Sequence, residues 1–508
     1  MTRTTADADD PGGRAHAPGG HPDRWRILAV LCAALCIVVL DNTILSVAVP
    51  RIKAELGADE SQLQWIVAAY GLVIAALLLP LAGIGDRYGR RRLLLLGVAG
   101  FGLTSAGAAF ARSADQLVVA RGLMGIGGAA TMPATLAVLS NVFPDHERPR
   151  AIALWSGVSS LAAAAGPVIG GFLLTHYWWG SVFLVNLPVT AAVFWAAWRL
   201  VPDSSDPRTP PLDGLGSPLW SVALALVLFA FIEGGEHGWG DPLVLGPLAA
   251  AALLLAAFAR WELRSAHPLL SPAAMRVPRM QAGVIVIPII FFTVFGLQFV
   301  FTQWLQDVRG LSPLASGSVF VPHAVAVLGA SILGPKVSER IGLGRAAALG
   351  MGVMAVAVTL GLVVPMGVAT VVALVVVLGI GMGIGCPAGV ELIMGAVPPE
   401  QAGQSAGVNE TIVEAGGALG VAVLGSLLAG GAGGAAAITH EALTGPGGEA
   451  ARASFTDALA APLVACLAAL VVGIVVTLRR ERRAAAAVVA GLSEAGGPPP
   501  AAAPTTGS

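Results

Sequence analysis

Fourteen apolar stretches, each close to the length that crosses a bilayer, divide this chain of 508 residues. They run over 25–50, 62–82, 93–112, 114–137, 151–175, 181–200, 215–235, 243–261, 281–305, 314–335, 346–366, 368–393, 404–430 and 456–478. A spanning helix needs about 20 predominantly apolar residues. Inside hydrocarbon every backbone N–H and C=O must be paired within the protein, so only helices or a closed barrel can span. A barrel would need short alternating segments, which are missing. The chain therefore reads as an all-α polytopic membrane protein of 14 transmembrane helices. Only 12% of its residues are charged, against about 25% in soluble domains. Some joints are very short: Ser113 barely separates the third stretch from the fourth. Such joints suit antiparallel hairpins, and abundant Gly and Ala suit close helix packing.

Several function classes drop out. Neither lysine, Lys53 or Lys336, ends a G-x-x-x-x-G-K-[ST] phosphate cradle, and no H-E-x-x-H zinc motif occurs. Cys32, Cys36, Cys386 and Cys466 lie in apolar stretches without zinc spacing and read as packing residues. No enzyme constellation, metal, cofactor or nucleic-acid partner is expected. The polar segments 1–24 and 479–508 read as disordered tails, the first stretch acting as an uncleaved signal. Between them, 25–200 reads as one six-helix bundle, 201–279 as a linker with two inserted helices, and 280–478 as a second six-helix bundle. If the N-terminus is cytoplasmic, 23 of the 29 basic residues fall on inner segments and five on outer ones, with Arg121 inside a helix. That asymmetry orients a cell-membrane protein with both termini in the cytoplasm.

A duplication supports the two bundles. Asp86-Arg87-Tyr88-Gly89 follows the second stretch, and Glu339-Arg340-Ile341-Gly342 follows the tenth. Both read acid-Arg-x-Gly on a short inner turn. The match pairs helices 1–6 with 9–14 and leaves two as an insert. Parallel six-helix repeats flanking a central site are a transporter design. With Arg90, these charges read as a gating loop whose pairs form in one state and break in another. The alternative, especially for Arg91 and Arg92, is a solvated anchor.

Asp41 is the only charge between Ile27 and Pro50. A carboxylate at that depth costs about 2.5–3.5 kcal/mol on insertion scales. It lies nine residues from Pro50, roughly 13 Å below that end at 1.5 Å per residue. Arg121, seven residues after Ala114, lies roughly 10 Å below the same surface. The two can meet, either as a proton- or cation-coupling pair or as a static ion pair. Glu410 and Glu414, one turn apart, share a helix face. They face either a substrate cavity or the inner vestibule. Phe291, Phe295 and Gln298 share a face of the ninth helix, which reads as a lipophilic wall with one amide or as ordinary packing. His323, after Pro322, reads as bonded to a carbonyl freed by proline, with a proton relay as the alternative. Glu391 reads as reaching water at the inner end of helix 12. Gly166-Pro167 kinks its helix, and the glycines around it admit a close neighbour.

Several of these residues also carry a resemblance. Leu40-Asp41-Asn42-Thr43 through Ala48-Val49-Pro50 resembles the first-helix signature of fourteen-helix drug/proton antiporters of the major facilitator superfamily. Asp86-Arg87-Tyr88-Gly89-Arg90-Arg91 resembles the superfamily loop motif, and Arg121 with Gly125 and Gly127 its fourth-helix motif. Gly166-Pro167-Val168-Ile169-Gly170-Gly171 resembles the antiporter motif of the fifth helix. Leu311-Ser312-Pro313 and Asn409-Glu410-Thr411 are similar to the same branch. Ala82 and Met124 depart from the usual glycine and glutamine. The resemblance implies the major facilitator fold and alternating access. It also implies a carrier that exports lipophilic, often cationic drugs or antibiotics in exchange for protons, and a monomer is expected. Gly166, Pro167, Gly170 and Gly171 would then form a seal against leakage. Export of an endogenous metabolite or lipid, or a non-transporting membrane sensor, are the alternatives.

Overall fold

A computed structural model describes residues 21–144, 146–205, 213–265, 272–397, 402–431 and 448–494. The tail segments 1–20 and 495–508, Arg208 and most of the 431–454 loop lie outside the described residues. Among the described residues, fourteen helical spans are long and apolar enough to cross a membrane. We number their main helices α1 (Arg24–Leu56), α2 (Glu60–Tyr88), α3 (Arg90–Ala109), α4 (Ala114–Val142), α5 (Arg148–His176), α6 (Asn186–Leu200, in a span that begins at Ser181), α7 (Gly216–His237) and α8 (Pro242–Glu262). The rest are α9 (Pro278–Gln303), α10 (Val321–Ile341), α11 (Leu343–Val363), α12 (Val368–Met394), α13 (Ala402–Gly431) and α14 (Ala460–Glu494). A π-helical turn, Trp304–Val308, extends α9, and the short helix Pro313–Ser318 precedes α10. We call the end of the bundle that carries His21 the terminal end, and the other the far end.

Local chemistry sets the helix ends. Asp59 caps α2 by accepting from Gln62 N, and Gln62 returns a side-chain bond. Ser113 caps α4 through Gln116 N. Gly89 and Gly342, the glycines of the duplicated motif, have φ of +118° and +89° and each is the single hinge between two helices. Other residues rarely adopt such angles. The acid and Arg of each motif are thus the last turn of a helix, not part of a loop as the sequence reading had them. Two expected ends shift. Helix α1 passes through Pro50 and stops at Leu56, where Gly57 adopts a left-handed conformation. Helix α14 runs to Glu494, so 479–494 is helical rather than tail. The alanines at 484–487 are strong helix formers.

Helices α1–α6 pack into one bundle and α9–α14 into the other. The insert lies against the seam between them. Leu224, Leu228 and Ile232 of α7 cover Ala68, Leu72 and Ala75 of α2 and Ala415, Ala418 and Ala422 of α13. Ser61 donates to Glu233 at 3.0 Å, and Ser426 donates to the Phe231 carbonyl. Helix α8 packs on α7 and leaves Leu243, Leu245 and Leu253 exposed.

At the terminal end, Arg24 donates to Glu147 at 2.5 and 3.1 Å, and His21 N donates to Val142 O. The hydrogen bonds from Arg24, against partial desolvation and with help from the charges of Arg24, His146 and Arg150, hold Glu147 below its ordinary value of 4.5. A lowered carboxyl pKa stabilises the fold above the ordinary value and stops doing so as pH falls through the lowered one. Glu147→Gln should therefore lower the melting temperature at neutral pH by a small amount. Melting curves across pH check this: the gap from the parent protein should close on acidification below 4.5. A pH-independent gap would refute the ionic origin.

Candidate functional site

Asp41 and Arg121 meet as their depths in α1 and α4 require. Arg121 Nη1 donates to Asp41 Oδ2, and both side chains are fully buried. Asn186 of α6 donates to Asp41 Oδ1 at 2.8 Å and to Ser105 Oγ of α3 at 3.1 Å. Arg121 Nε donates to Ile66 O at 3.1 Å, and the guanidinium lies 4.3 Å from the Tyr70 ring centroid. Tyr70 in turn donates to Val38 O. The acid thus sits inside the first bundle, braced by four other helices, and does not point at lipid. Nor does it line the cavity; its neighbours Asn42 and Thr43 do. Arg121 Nη2 has no hydrogen-bond partner among the described residues. Met124, one turn away where the resembled motif has glutamine, offers no oxygen to it. Sequence reasoning missed Asn186 and Tyr70, polar groups within apolar stretches.

Between the bundles lies a cavity of about 390 Å³. Helices α1, α4, α5, α9, α10, α12 and α13 line it. Phe291, Phe295 and Gln298 all face it, the two rings edge to face at 5.6 Å. Glu410 and Glu414 also face it, so the cavity orientation rather than the vestibule holds in this structure. No hydrogen bond to the Glu414 carboxylate occurs among the described residues, although it lies within electrostatic reach of both Glu410 and Arg121. An apolar, aromatic chamber with two carboxylates suits a lipophilic cation: burial of its rings supplies affinity, and the acids supply sign selectivity.

The far end of this cavity is closed by contacts between bundles. Gln298 donates to Ser46 Oγ at 3.1 Å, Gln306 to Val47 O at 3.0 Å, and Gln303 to Glu60 at 3.2 Å. Helix α5 contributes its glycine motif here. Gly166 and Gly170 sit against Thr43 and Ile44 of α1, while Gly171 meets Pro313 and Leu314 of the other bundle. Gly317 meets the Pro167 carbonyl so closely that a Cβ would overlap it.

The remaining sequence candidates fall elsewhere. Asp86 pairs with Arg90 at 2.7 Å across the α2–α3 hinge. Arg87 lies over its neighbour Tyr88, and Arg91 donates to Trp198 O. Glu339 and Arg340 end α10, both away from the cavity lining. Glu391 is exposed. His323 does bond a carbonyl, but that of Val375 on α12, at 2.8 Å, rather than one freed by Pro322. The close approach of α10 and α12 decides the partner. The four cysteines are free.

The sequence matches the Major Facilitator Superfamily over residues 31–421. It is 36% identical over 436 residues to the tetracenomycin C resistance and export protein of Streptomyces glaucescens, covering 84% of this chain and 80% of that protein. It is 35% identical over 411 residues to the multidrug efflux pump LfrA of Mycolicibacterium smegmatis, covering 79% and 80%. Among solved structures, an inward-facing, unoccupied bacterial homologue of the human lysosomal transporter Spinster superposes with a TM-score of 0.66 at 18% identity, covering 91% of this chain and 98% of that one. Two six-helix bundles, an insert between them and these matches together place this fourteen-span membrane protein in the Major Facilitator Superfamily.

Proposed function

We propose that this protein exports lipophilic, mostly cationic drugs or antibiotics from the cytoplasm in exchange for protons. One observation carries the reading: a buried Asp41–Arg121 pair stands behind the wall of a cavity whose own acid, Glu414, lies within electrostatic reach of the same arginine. Arg121 is the shared counter-charge. With Asp41 ionised, Arg121 is held away from Glu414, and the cavity acids are free to take a cationic substrate. With Asp41 protonated, the pair is broken, and the uncompensated arginine raises the cost of keeping a cation beside Glu414. Proton and substrate then disfavour one another, which is the thermodynamic requirement for exchange. Rings of the substrate lie against Phe291 and Phe295.

The basic residues orient the terminal end to the cytoplasm. The closed far end then faces outward, so this structure is the state that loads substrate from inside. Opening it requires the contacts of α5 with α10, and of Gln298, Gln303 and Gln306 with α1 and α2, to separate. The charged pair at the α2–α3 hinge, Asp86 with Arg90, and the matching Glu339 and Arg340 are placed to respond at the opposite end.

Inside-out vesicles test the reading. With a proton gradient in place, adding ethidium should dissipate part of the gradient as lumenal protons leave in exchange. Glu414→Gln should raise the concentration of ethidium needed for half-maximal response by about tenfold, the scale of one lost charge interaction. An unchanged gradient with a panel of cationic dyes and biocides would exclude proton exchange for that class.

A further inference from the structure

The wall that α10 and α12 contribute to the cavity carries one ring that the exchange scheme leaves unused. His323 lines the cavity beside Phe320, Ala324 and Val375. Its Nδ1 lies 2.8 Å from the Val375 carbonyl oxygen. A carbonyl can only accept, so Nδ1 must carry the hydrogen. In the neutral ring, Nε2 is then a bare acceptor. No hydrogen bond to Nε2 occurs among the described residues, and no buried unpaired atom is found on this ring.

The packing holds the ring in place. Gly379 of α12 lies against the start of α10, where a Cβ would stand 2.5 Å from the His323 carbonyl oxygen and 3.1 Å from Nδ1. The absence of that carbon lets the helices close and brings Val375 O within reach. The tautomer is therefore set by backbone geometry rather than by solvent.

Besides His323, the polar groups of the lining include Asn42 and Ser159, which can both donate and accept, together with two acids and several groups already engaged. Glu410 and Glu414 accept, Gln298 donates to Ser46, and the Trp155 N–H donates to Thr135. We infer that His323 is a specificity-determining residue that accepts a hydrogen bond from an N–H or O–H of the substrate. The favoured ligand class is then an aromatic cation with a second donor, an aryl amine or a phenol, in addition to its charge. This inference rests on the export reading above. It adds a demand on the ligand that charge and lipophilicity do not make.

Two probes separate charge from donor. Ethidium is cationic and carries two aryl amines. Tetraphenylphosphonium is cationic and has no N–H or O–H. His323→Phe keeps a ring but removes the acceptor. It should lower the initial rate of ethidium transport at low concentration by about tenfold, the scale of one unmade hydrogen bond at a partly desolvated group. Tetraphenylphosphonium transport should stay within about twofold. His323→Gln, which retains an acceptor, should recover most of the ethidium rate. A test on the unaltered protein needs no variant to fold: an ethidium analogue with both amines dimethylated should lose as much as His323→Phe loses with ethidium. Parallel loss of both probes in His323→Phe would mean a packing role and overturn the proposal. So would equal transport of ethidium and its methylated analogue. If the unaltered protein moves neither probe, the export reading itself fails.

Discussion

Asp41→Asn should abolish accumulation against a gradient while leaving a folded protein in the membrane. One proton exchanged per monovalent cation supports about a tenfold substrate ratio for each pH unit. In proteoliposomes with a difference of about 2 pH units, the parent protein should reach roughly a hundredfold ratio and the variant roughly one. Breaking a buried ion pair can cost about 3–5 kcal/mol. Asparagine softens that, because its Oδ1 still accepts from Arg121 and its size is unchanged. Thermal melting of the purified variant separates misfolding from lost coupling. Uphill export at the parent level by Asp41→Asn would remove this acid from the mechanism. That would leave the pair with Arg121 and Asn186 as a brace of the first bundle.

The next largest effect is expected at the closed end. Gly317→Val places a branched side chain where even a Cβ would overlap the Pro167 carbonyl. Overpacking costs about 1–3 kcal/mol. Charged to only one of two states, it shifts their ratio by roughly 5- to 150-fold, since each 1.4 kcal/mol is tenfold. The far end would then rest open, and export should fall by about tenfold or more. The direct measurement is labelling of Ser46→Cys by a membrane-impermeant maleimide, in a chain whose four cysteines are replaced. Ser46 is buried and bonded to Gln298 in the closed arrangement. Labelling from the far side should quicken about tenfold in the Gly317→Val background. Unchanged labelling together with intact export would show that this contact does not govern closure.

Much of this architecture can be read from residue order, for definite reasons. Each span is a local property, an apolar run of bilayer length. The Asp41–Arg121 meeting follows from counting rise along two antiparallel helices. The repeated acid-Arg-x-Gly motif marks a backbone requirement, since both glycines take positive φ. Other features depend on assembly. Asn186 sits in an unremarkable apolar stretch, and only bundle closure brings it to Asp41. The sole signal was the expense of an amide in a membrane helix. Whether Glu410 and Glu414 face the cavity or the vestibule depends on how α13 rotates against α2 and α9, and their spacing alone leaves that open. Proline misled at Pro50, because a helix can continue past one lost donor when its neighbours pack well. The partner of His323 was misread because the deciding residue, Gly379, lies on another helix.

The inserted hairpin makes the molecule two-sided toward its lipid surroundings. On one flank, α7 keeps acyl chains off Leu72 and Ala418, each less than 10% exposed. On the other, Leu161 of α5 and Ile332 of α10 are bare, at 62% and 73% exposure. The surface offered to acyl chains is therefore covered along the α2–α13 seam and bare along α5 and α10. Pulling the two halves apart also means sliding α2 and α13 beneath the same cover, so the hairpin must ride with one of them and shear against the other.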